Sequence, residues 1–471
     1  MSKPEETHHG PVPDPWGGPQ LGAHDDRSRG QVRMAYRLAD AYADRLLHVH
    51  GIGWLHWDGK RWAEDVTGAA TRAVLDVLDT AWSEARKDAA LEADVRKCET
   101  AAGVRGVLDL AAALETFAAT VDDLDADPAL LNCANGTLDL DTGELKAHDP
   151  RDRLTKVCRA AYDPDAQAGE WGRFLARVLP DDAVREYLQR VVGQALYGRV
   201  REHLFPVLIG EGANGKSTAY DALNHALGDY AAVIDPSLLM ASDKGHRNAG
   251  PELMELMGAR LVVGSETEEG RKLDEPTMKR LTGGDALTAR RLYREPVTWK
   301  PSHQLVYVTN HLPKVKGNDA ATWRRLRVVP FGVVVPPEER DPDLPMRLEA
   351  AAEAVLAWAV DGWRDYQNGG MREPASVVRA TDDYRNDSDA VGRFVAERCY
   401  TAPGATATTR ELYTAWQPWA HSEGAEPMSE KAFGNELDRL GFPAKRLKKG
   451  MTRQGIGLYA QDDLTAGGEG W

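Results

Sequence analysis

The sequence predicts an α/β protein made of several domains, and three observations lead to this prediction. Between residue 201 and about residue 335, apolar runs typical of strands alternate with helical segments, which is the pattern of a sheet with crossover helices. Before this region the sequence combines helices with short hairpins, and after it three helices precede a β-turn-β unit. With 471 residues the chain exceeds one compact core, since a domain holds roughly 150 residues.

Composition and charge narrow the class of protein. The formal charge of −15 excludes a protein that coats nucleic acid with its whole surface, so any such contact needs local basic patches. The four cysteines lie far apart and form no Cys-x-x-Cys pair, which predicts buried thiols in a reducing compartment. No apolar run approaches the roughly 18 residues that span a bilayer, and the first residues lack a signal-peptide core. We therefore expect a cytoplasmic protein without membrane contact.

The N-terminal part of the chain is predicted to hold a disordered tail, an accessory domain and a helical collar. Residues 1–30 are rich in Pro, Gly, Asp and His and lack apolar periodicity, which favours a disordered tail. Residues 31–165 combine helical periodicity with hairpin signals, so we expect an α+β accessory domain. In 166–200 apolar residues recur at helical spacing with a break at Pro180, which predicts the collar.

Two hairpins are predicted inside the accessory domain. The first spans Trp54 to Trp62 with Asp58-Gly59 at its turn, and the second spans Thr137 to Leu145. The tryptophans of the first hairpin allow two interpretations, stacking on nucleic-acid bases or packing of a small core, and packing is the commoner role of aromatic pairs across a hairpin.

The C-terminal part is predicted to hold the core domain, a linker and a small helical domain. The core spans 201–371 and closes with the helix Leu348 to Tyr366, which Asn368-Gly369-Gly370 ends. The polar stretch 372–389 is the linker candidate. Residues 390–471 are predicted to form a winged helix, with helices over Ala390–Cys399, Thr409–Ser422 and Ser429–Leu440 followed by a basic strand pair.

A phosphate-binding loop is the strongest motif in the chain. Residues 210–217 read Gly-Glu-Gly-Ala-Asn-Gly-Lys-Ser and stand between an apolar strand, Leu204 to Ile209, and a helix that begins near Ser217. In such a loop the backbone N–H groups surround phosphates, the lysine meets the β- and γ-phosphates and the serine hydroxyl ligates magnesium. We therefore predict an ATP–Mg²⁺ site whose binding residues are Gly210, Gly212, Asn214, Gly215, Lys216, Ser217 and Thr218.

Two further polar residues stand at strand ends where a nucleotide hydrolase needs them. Glu266 stands at the end of the strand segment that begins at Arg260 and is the first candidate for the carboxylate that holds the magnesium shell and polarises water; Glu268 is the reserve. A solvated acidic loop is the alternative for both. Asn310 follows the strand Leu305 to Thr309, where it could orient water near the γ-phosphate, although an Asn after a strand is commonly a turn former.

The segment Trp323-Arg324-Arg325-Leu326-Arg327 supplies three arginines. An arginine that reaches a neighbouring subunit's γ-phosphate would couple hydrolysis to subunit contact. From the residues alone, a surface salt-bridge cluster is the alternative.

The ordered set of motifs resembles the superfamily 3 helicases, and more closely the primase-helicase proteins of phages, plasmids and poxviruses. The set comprises the phosphate loop, the strand ending at Glu266, Leu281-Thr282-Gly283-Gly284-Asp285, the strand before Asn310-His311-Leu312-Pro313, and Trp323-Arg324-Arg325. Upstream, the segment of residues 130–140 is similar to the one that precedes the helicase in that family. The resemblance covers about residues 35–460.

The resemblance implies an AAA+ ATPase that forms a ring, usually hexameric, and moves 3′ to 5′ on single-stranded DNA. Lys216 and Ser217 would bind phosphate and magnesium, Glu266 would be the Walker B carboxylate and metal residue, and Asn310 would be sensor 1. Arg324 or Arg325 would be the arginine finger that acts in trans. The implied partners are single-stranded and forked DNA, further copies of the chain and other replication proteins, in the bacterial host of a phage, prophage or plasmid.

Two basic segments are the candidates for DNA contact. The segment from Lys279 to Lys300 contains six basic residues and two acidic ones. The resembling helicases have a hairpin in this segment that lines the central channel. At the C-terminus, the stretch from Arg439 to Arg453 is basic without an acidic residue, which favours a wing that contacts duplex. The predicted contacts are Arg291, Tyr293, Arg294, Lys300, Lys445, Arg446, Lys448 and Lys449. A solvated basic strand and a fold for protein contact are the respective alternatives.

The chain departs from many members of the family in its N-terminal part. Only about 165 residues precede the collar, and they contain no Cys/His cluster of the kind found in primase domains. We therefore expect a replicative helicase without recognisable priming chemistry. A primase-helicase with an unrecognised priming site, and an ATP-switched origin-binding initiator without processive unwinding, are the alternatives.

Overall fold

The computed structural model describes residues 28–241, 250–265, 270–292, 294–315, 319–447 and 450–459. Most of the predicted disordered tail, residues 1–27, lies outside this range. Two compact units divide the described residues. The first takes those up to Asp127, together with Ala147–Lys156 and Arg290–Val297; the second takes Pro128–Lys146, Val157–Ala289 and those from Thr298 onward.

The first unit packs helices around a small mixed sheet. Its elements are α1 (Gly30–Tyr42), β1 (Leu46–Val49), β2 (Gly53–Trp57), β3 (Trp62–Glu64), α2 (Ala69–Glu84), α3 (Ala89–Cys98), α4 (Ala101–Ala111) and β4 (Ala118–Ala119). The strand order is β3-β2-β1-β4, with β4 parallel to β1. Leu38, Val74, Val95 and Phe117 are buried between the helices and the sheet, because each lies on the apolar side of an amphipathic element.

The first predicted hairpin is confirmed. Strands β2 and β3 pair antiparallel with Trp57 opposite Trp62, and Asp58 closes the turn by accepting from the backbone N–H groups of Lys60 and Arg61. Trp62 is buried and donates its indole N–H to Pro150, and Trp54 meets Phe117 edge to face at 5.5 Å. These rings pack within the unit, in agreement with the packing interpretation.

The second unit contains most of the chain. Its elements before the central sheet are β5 (Leu130–Cys133), β6 (Gly136–Asp139), β7 (Leu145–Lys146), α5 (Gly169–Val178) and α6 (Asp182–Ala195). The second predicted hairpin is confirmed as β6–β7, and the two helices predicted around Pro180 are α5 and α6. The sequence assigned 31–165 to one accessory domain, whereas Pro128–Lys146 belong here to the second unit. Hydrogen bonds explain this placement, since the Cys158 N–H donates to the Asn132 carbonyl and the Arg260 guanidinium donates to the Leu130 carbonyl.

The centre of the second unit is a parallel sheet with helices between its strands. Its elements are β8 (Phe205–Ile209), α7 (Lys216–Leu227), β9 (Ala231–Ile234), α8 (Gly250–Met254), β10 (Leu261–Ser265), α9 (Glu275–Leu281), β11 (Leu287–Ala289), β12 (Val297–Trp299), β13 (Gln304–Thr309), α10 (Ala320–Trp323), β14 (Leu326–Pro330), α11 (Leu344–Ala350) and α12 (Ala352–Gly369). Within the described residues the sheet order is β14-β8-β13-β10-β9, all parallel. The predicted sheet with crossover helices is confirmed. β11 and β12 form a separate hairpin.

The C-terminal part of the second unit joins helices to a small antiparallel sheet. Its elements are α13 (Ala375–Ser388), α14 (Ala390–Arg398), β15 (Cys399–Thr408), α15 (Thr409–Ser422), α16 (Glu430–Arg439), β16 (Ala444–Leu447) and β17 (Gly450–Leu458). The sheet order is β15-β17-β16. The three predicted helices are present as α14, α15 and α16. The segment 372–389, predicted as a linker, contains the helix α13.

Candidate functional site

The predicted phosphate-binding loop connects the end of β8 to the start of α7. Gly215, directly before α7, has φ of 83°, and a Cβ there would lie 2.7 Å from Val178. A Cβ on Gly210 would lie 2.2 Å from the Phe331 carbonyl oxygen. Side chains at these two positions would therefore force the loop away from its neighbours, which explains the two glycines.

Lys216 is buried at the first position of α7. Its ammonium group donates to the Gly210 carbonyl at 2.5 Å, to Asn214 Oδ1 at 3.1 Å and to Asn310 Oδ1 at 3.1 Å. The side chain is only 3 % exposed. Two residues that the sequence names separately, Lys216 and Asn310, are thus brought into direct contact at the ends of neighbouring strands β8 and β13.

Asn214 connects the lysine to the adjacent strand β14. Its amide Nδ2 donates to the Phe331 carbonyl at 3.3 Å while its oxygen accepts from Lys216. Next to it, Val335 donates its backbone N–H to the Ala213 carbonyl at 2.8 Å. The segment after β14 therefore holds the loop from one side.

The residues of the loop fit a phosphate chain. The N-terminus of the 12-residue helix α7 carries the positive end of the helix dipole, and Lys216 adds a formal charge at the same place. Ser217 and Gly212 are exposed, and Thr218 is half-buried. Ser217 offers the hydroxyl that would hold magnesium. Glu266 and the reserve Glu268 lie outside the described residues.

The two candidate finger arginines differ in their surroundings. Arg324 is exposed and forms no ion pair with the residues that the structure describes. Arg325 is buried, donates to the Ala321 carbonyl at 2.8 Å and approaches His203 Nδ1 at 3.5 Å. Burial lowers the pKa of Arg325, and the Arg324 charge lowers it further. Arg327 pairs with Glu373 at 2.6 Å, which fits the salt-bridge alternative for that residue.

Both arginines lie at the edge of the sheet opposite the phosphate loop. β14 is parallel to β8 with Leu326 opposite Phe205 and Pro330 opposite Ile209. The loop follows Ile209, whereas Arg324 precedes Leu326. At about 3.3 Å per residue, the strand alone separates the two ends by roughly 13 Å.

A partly buried polar cluster that the sequence did not reveal supports α10. Thr322 donates its hydroxyl to Glu275 Oε2 at 2.7 Å, and Lys279 pairs with Asp319. Asp319 also accepts from the Ala321 N–H as the N-cap of α10. The only available signal was Asp319 itself, a capping residue before a short apolar segment. Trp323 packs edge to face on Tyr384 of α13 at 5.2 Å.

The hairpin β11–β12 lies in the basic segment from Lys279 to Lys300 and is called the basic hairpin. One of its arginines forms an ion pair. Arg291 donates to both carboxylate oxygens of Glu64, at 2.5 and 2.7 Å, and both residues belong to the first unit. The hydrogen bond from Arg291 lowers the pKa of Glu64, with smaller contributions from Lys156 and Arg294. Arg294 and Lys300 are exposed. Tyr293 lies outside the described residues.

The basic C-terminal segment is only partly available to a ligand. Arg453 is buried and pairs with Asp438, and Arg439 pairs with Asp389 at 2.6 Å. Lys445 and Arg446 are exposed on β16. The predicted contacts Lys448 and Lys449 lie outside the described residues.

Family models match three stretches of the chain. Residues 35–180 match the model described as D5 N terminal like, and residues 386–462 match the Poxvirus D5 protein-like model. Residues 208–325, which contain the phosphate loop and both strand-end candidates, match a Family of unknown function (DUF5906).

The chain is related to proteins of large DNA viruses. It is 30% identical over 296 residues to a protein of Acanthamoeba polyphaga mimivirus named "Putative helicase", covering 58% of this chain and 31% of that protein. It is 26% identical over 425 residues to a "Putative helicase" of Frog virus 3, covering 72% and 44%. A "Putative primase" of African swine fever virus is 24% identical over 348 residues, covering 67% and 35%. The chain thus spans less than half the length of these relatives.

Among solved structures, the A form apo structure of the NrS-1 C terminal region is similar to this chain at 12% identity and a TM-score of 0.39. The similarity covers 61% of this chain and 75% of that one.

In the part of the chain that the structure describes, no helix combines the length and the apolar character that crossing a membrane requires.

Proposed function

We propose that this chain is the motor part of an ATP-dependent, ring-forming DNA helicase of superfamily 3 that serves the replication of a viral, phage or plasmid genome. The sheet would then be an AAA+ core, and the C-terminal helices with their small sheet would be a winged helix. The names of the viral relatives and the matches to D5-type models support this class.

One observation carries the proposal that the ring is the active form. The phosphate loop and Asn310 lie at the carboxyl edge of the sheet, whereas Arg324 lies at the amino edge of the same sheet. Arg324 therefore cannot reach the phosphates bound by its own chain. An exposed arginine in this position suits a neighbour's nucleotide, so a complete site would form between two copies.

The exposed arginine is the better candidate for the finger. Arg324 is free to enter a neighbouring site, whereas Arg325 already donates to Ala321 inside its own chain. We assign the finger to Arg324 and a supporting role to Arg325.

The residues of the loop would divide the hydrolysis between them. Lys216 would exchange its bonds to Gly210 and Asn214 for the β- and γ-phosphates, and Asn310, already in contact with it, would orient the attacking water. Ser217 and Glu266 would hold magnesium, which offsets the phosphate charge when bound. Arg324 of the neighbouring copy would stabilise the charge that develops on the transferred group.

DNA would be gripped by the basic hairpin and contacted by the wing. Arg294 and Lys300 are exposed, as are Lys445 and Arg446. Arg291 would first have to leave Glu64, so its part in DNA binding competes with an internal ion pair.

The test measures ATP hydrolysis with and without single-stranded DNA, and the unwinding of partial duplexes that carry either a 3′ or a 5′ single-stranded tail. DNA should stimulate ATP hydrolysis by the wild type, which should unwind the duplex with the 3′ tail. Lys216→Ala should show neither activity. A wild type that hydrolyses no ATP and stays monomeric with nucleotide and DNA would overturn the motor proposal. Hydrolysis without strand displacement would favour an ATP-switched initiator, and primer synthesis on a single-stranded template would reveal priming activity.

Subunit mixing tests the shared site. Lys216→Ala copies retain Arg324, and Arg324→Ala copies retain Lys216, so mixed rings contain some complete sites. Partial recovery of ATPase activity is expected in the mixture. Absence of recovery at every ratio would contradict a finger supplied in trans.

A further inference from the structure

The short helix α10 places Arg324, and buried polar contacts fix that helix. Thr322 is fully buried and donates to the buried carboxylate of Glu275 at 2.7 Å. Because breaking this buried hydrogen bond would cost free energy, the bond holds the two helices α9 and α10 in one register. Arg324 follows Thr322 by two residues.

The remaining contacts of α10 allow little other movement. Asp319 caps its N-terminus and pairs with Lys279, which also lies 3.8 Å from Glu275. On the other side Trp323 packs on Tyr384, whose hydroxyl donates to the Pro313 carbonyl. The contact between Thr322 and Glu275 is a buried polar link between α10 and α9, and the pair of Lys279 with Asp319 is a second, more exposed one.

The segment that follows α9 also faces the arginine pair. After α9, residues 282–286 lead into β11, and the carboxylate of Asp285 acts electrostatically on Arg325. Along the chain, the sequence motif Leu281 to Asp285 therefore connects the end of α9 to β11.

We infer that Thr322 and Glu275 are positioning residues that set the direction of Arg324, so that their hydrogen bond determines how well one copy completes its neighbour's nucleotide site. This inference rests on the proposed function, because it concerns the same finger. Both residues act through Thr322, which lies four residues before Leu326 at the amino end of β14, and the length of that strand separates it from the phosphate loop of its own copy. Their loss should thus affect turnover in the neighbouring copy and leave nucleotide binding in their own copy intact.

The matched pair Thr322→Val and Thr322→Ser isolates the hydroxyl. Valine keeps the shape of threonine and removes the donor, whereas serine keeps the donor. Since misplacement of a catalytic group by about 1 Å can cost about 100-fold in rate, Thr322→Val should lower kcat for ATP by roughly 10- to 100-fold. The KM for ATP should stay within a factor of about three because the phosphate loop is unchanged. Thr322→Ser should stay close to the wild type.

Mixing separates a positioning role from a merely structural one. Copies with Thr322→Val keep a working phosphate loop, so Lys216→Ala copies, which carry an intact finger, should restore part of the activity. Arg324→Ala copies should restore none, because both partners then lack a well-placed finger. Gel filtration and circular dichroism confirm that the variants assemble and fold.

The outcomes distinguish this inference from the proposed function. Complementation between Lys216→Ala and Arg324→Ala copies would support the shared site. If Thr322→Val is then as active as the wild type, or gains no activity from Lys216→Ala copies, the positioning role is wrong. If Lys216→Ala and Arg324→Ala copies fail to complement, the shared site itself is wrong. Should Thr322→Val not fold, Glu275→Gln takes its place. This variant retains an acceptor but loses the charge facing Lys279, and it should show a smaller defect with the same mixing pattern.

Discussion

The ammonium nitrogen of Lys216 lies 3.1 Å from the side-chain oxygen of Asn310. The contact joins the first residue of α7 to the residue that follows β13, and it forms because β8 and β13 are parallel neighbours that end at the same edge of the sheet. Since Lys216 is the residue proposed to meet the phosphates, Asn310 lies beside the proposed reaction site without being part of the loop.

Asn310→Ala is expected to impair turnover more than binding. The loop and Lys216 remain in place, but the attacking water loses the side chain that orients it and Lys216 loses a hydrogen-bond partner. The kcat should therefore fall by about 100-fold, as for a misplaced catalytic group. The Kd for ATP should change little. Steady-state hydrolysis and fluorescent-nucleotide titration measure the two quantities, and exposed Asn368→Ala is the matched control. Loss of binding with normal kcat would contradict this assignment.

The adjacent arginines should differ in their effect on stability. Arg325→Ala removes a buried side chain that donates to the Ala321 carbonyl, so the free energy of unfolding should fall by about 1–3 kcal/mol. Arg324→Ala alters an exposed side chain and should stay within about 0.5 kcal/mol of the wild type. Urea titration followed by tryptophan fluorescence gives both values. Equal losses for the two variants would show that Arg324 is as deeply engaged as Arg325.

The sequence alone could predict the loop and its flanking elements because their signal is local. β8 and β13 agree with the predicted strands to within one residue, since each is an apolar run that a polar or glycine residue ends. The contact of Lys216 with Asn310 could be expected only in outline, because it depends on which strands are neighbours. β9 and β14 were not predicted, although they form the two edges of the sheet.

Other parts of the site depend on tertiary packing that no local pattern reveals. The helix α13 is so polar that its segment was interpreted as a linker, yet Val377, Thr381 and Tyr384 fall on one face and are buried. The choice between Arg324 and Arg325 was open in the sequence, because successive helical residues point about 100° apart and only the fold decides which one faces inward. Glu275 gave no signal, since a carboxylate at the start of a helix is ordinarily exposed.

The cysteines should be unreactive in the native protein. Cys98, Cys133, Cys158 and Cys399 are all buried free thiols, as the sequence predicts. Burial raises the pKa of Cys98 and Cys158 and raises the pKa of Cys399 to about 12, so the nucleophilic thiolate is scarce at neutral pH. An aromatic disulfide reagent should release almost no chromophore from the native chain and four equivalents after denaturation. Ser83→Cys, at an exposed position, should add one fast equivalent; fast reaction of the wild type would contradict the prediction.

The buried imidazole of His303 should make stability depend on pH. Burial lowers its pKa from the ordinary 6.5 to about 4, because the charged form loses its water. The unfolded chain therefore takes up the proton more readily than the folded chain between these two values. The contribution of His303 to the free energy of unfolding is fully present above about pH 6.5 and falls as the pH decreases toward 4. Below about pH 4 this group causes no further loss. The shift corresponds to about 3 kcal/mol at most.

His303→Phe isolates this contribution, since phenylalanine fills a similar volume and does not titrate. Urea unfolding at pH 7.5 and pH 4.5 gives, for each protein, the loss of free energy of unfolding on acidification. The other titrating groups are the same in both proteins, so their effects cancel when the two losses are compared. The wild type should lose more free energy of unfolding than the variant on acidification, by roughly 2 to 3 kcal/mol. Parallel losses in the two proteins would mean that His303 keeps its ordinary pKa, because a group that titrates alike in both states leaves stability unchanged. In that case the imidazole would have to be reached by water in the native chain, contrary to its 2 % exposure.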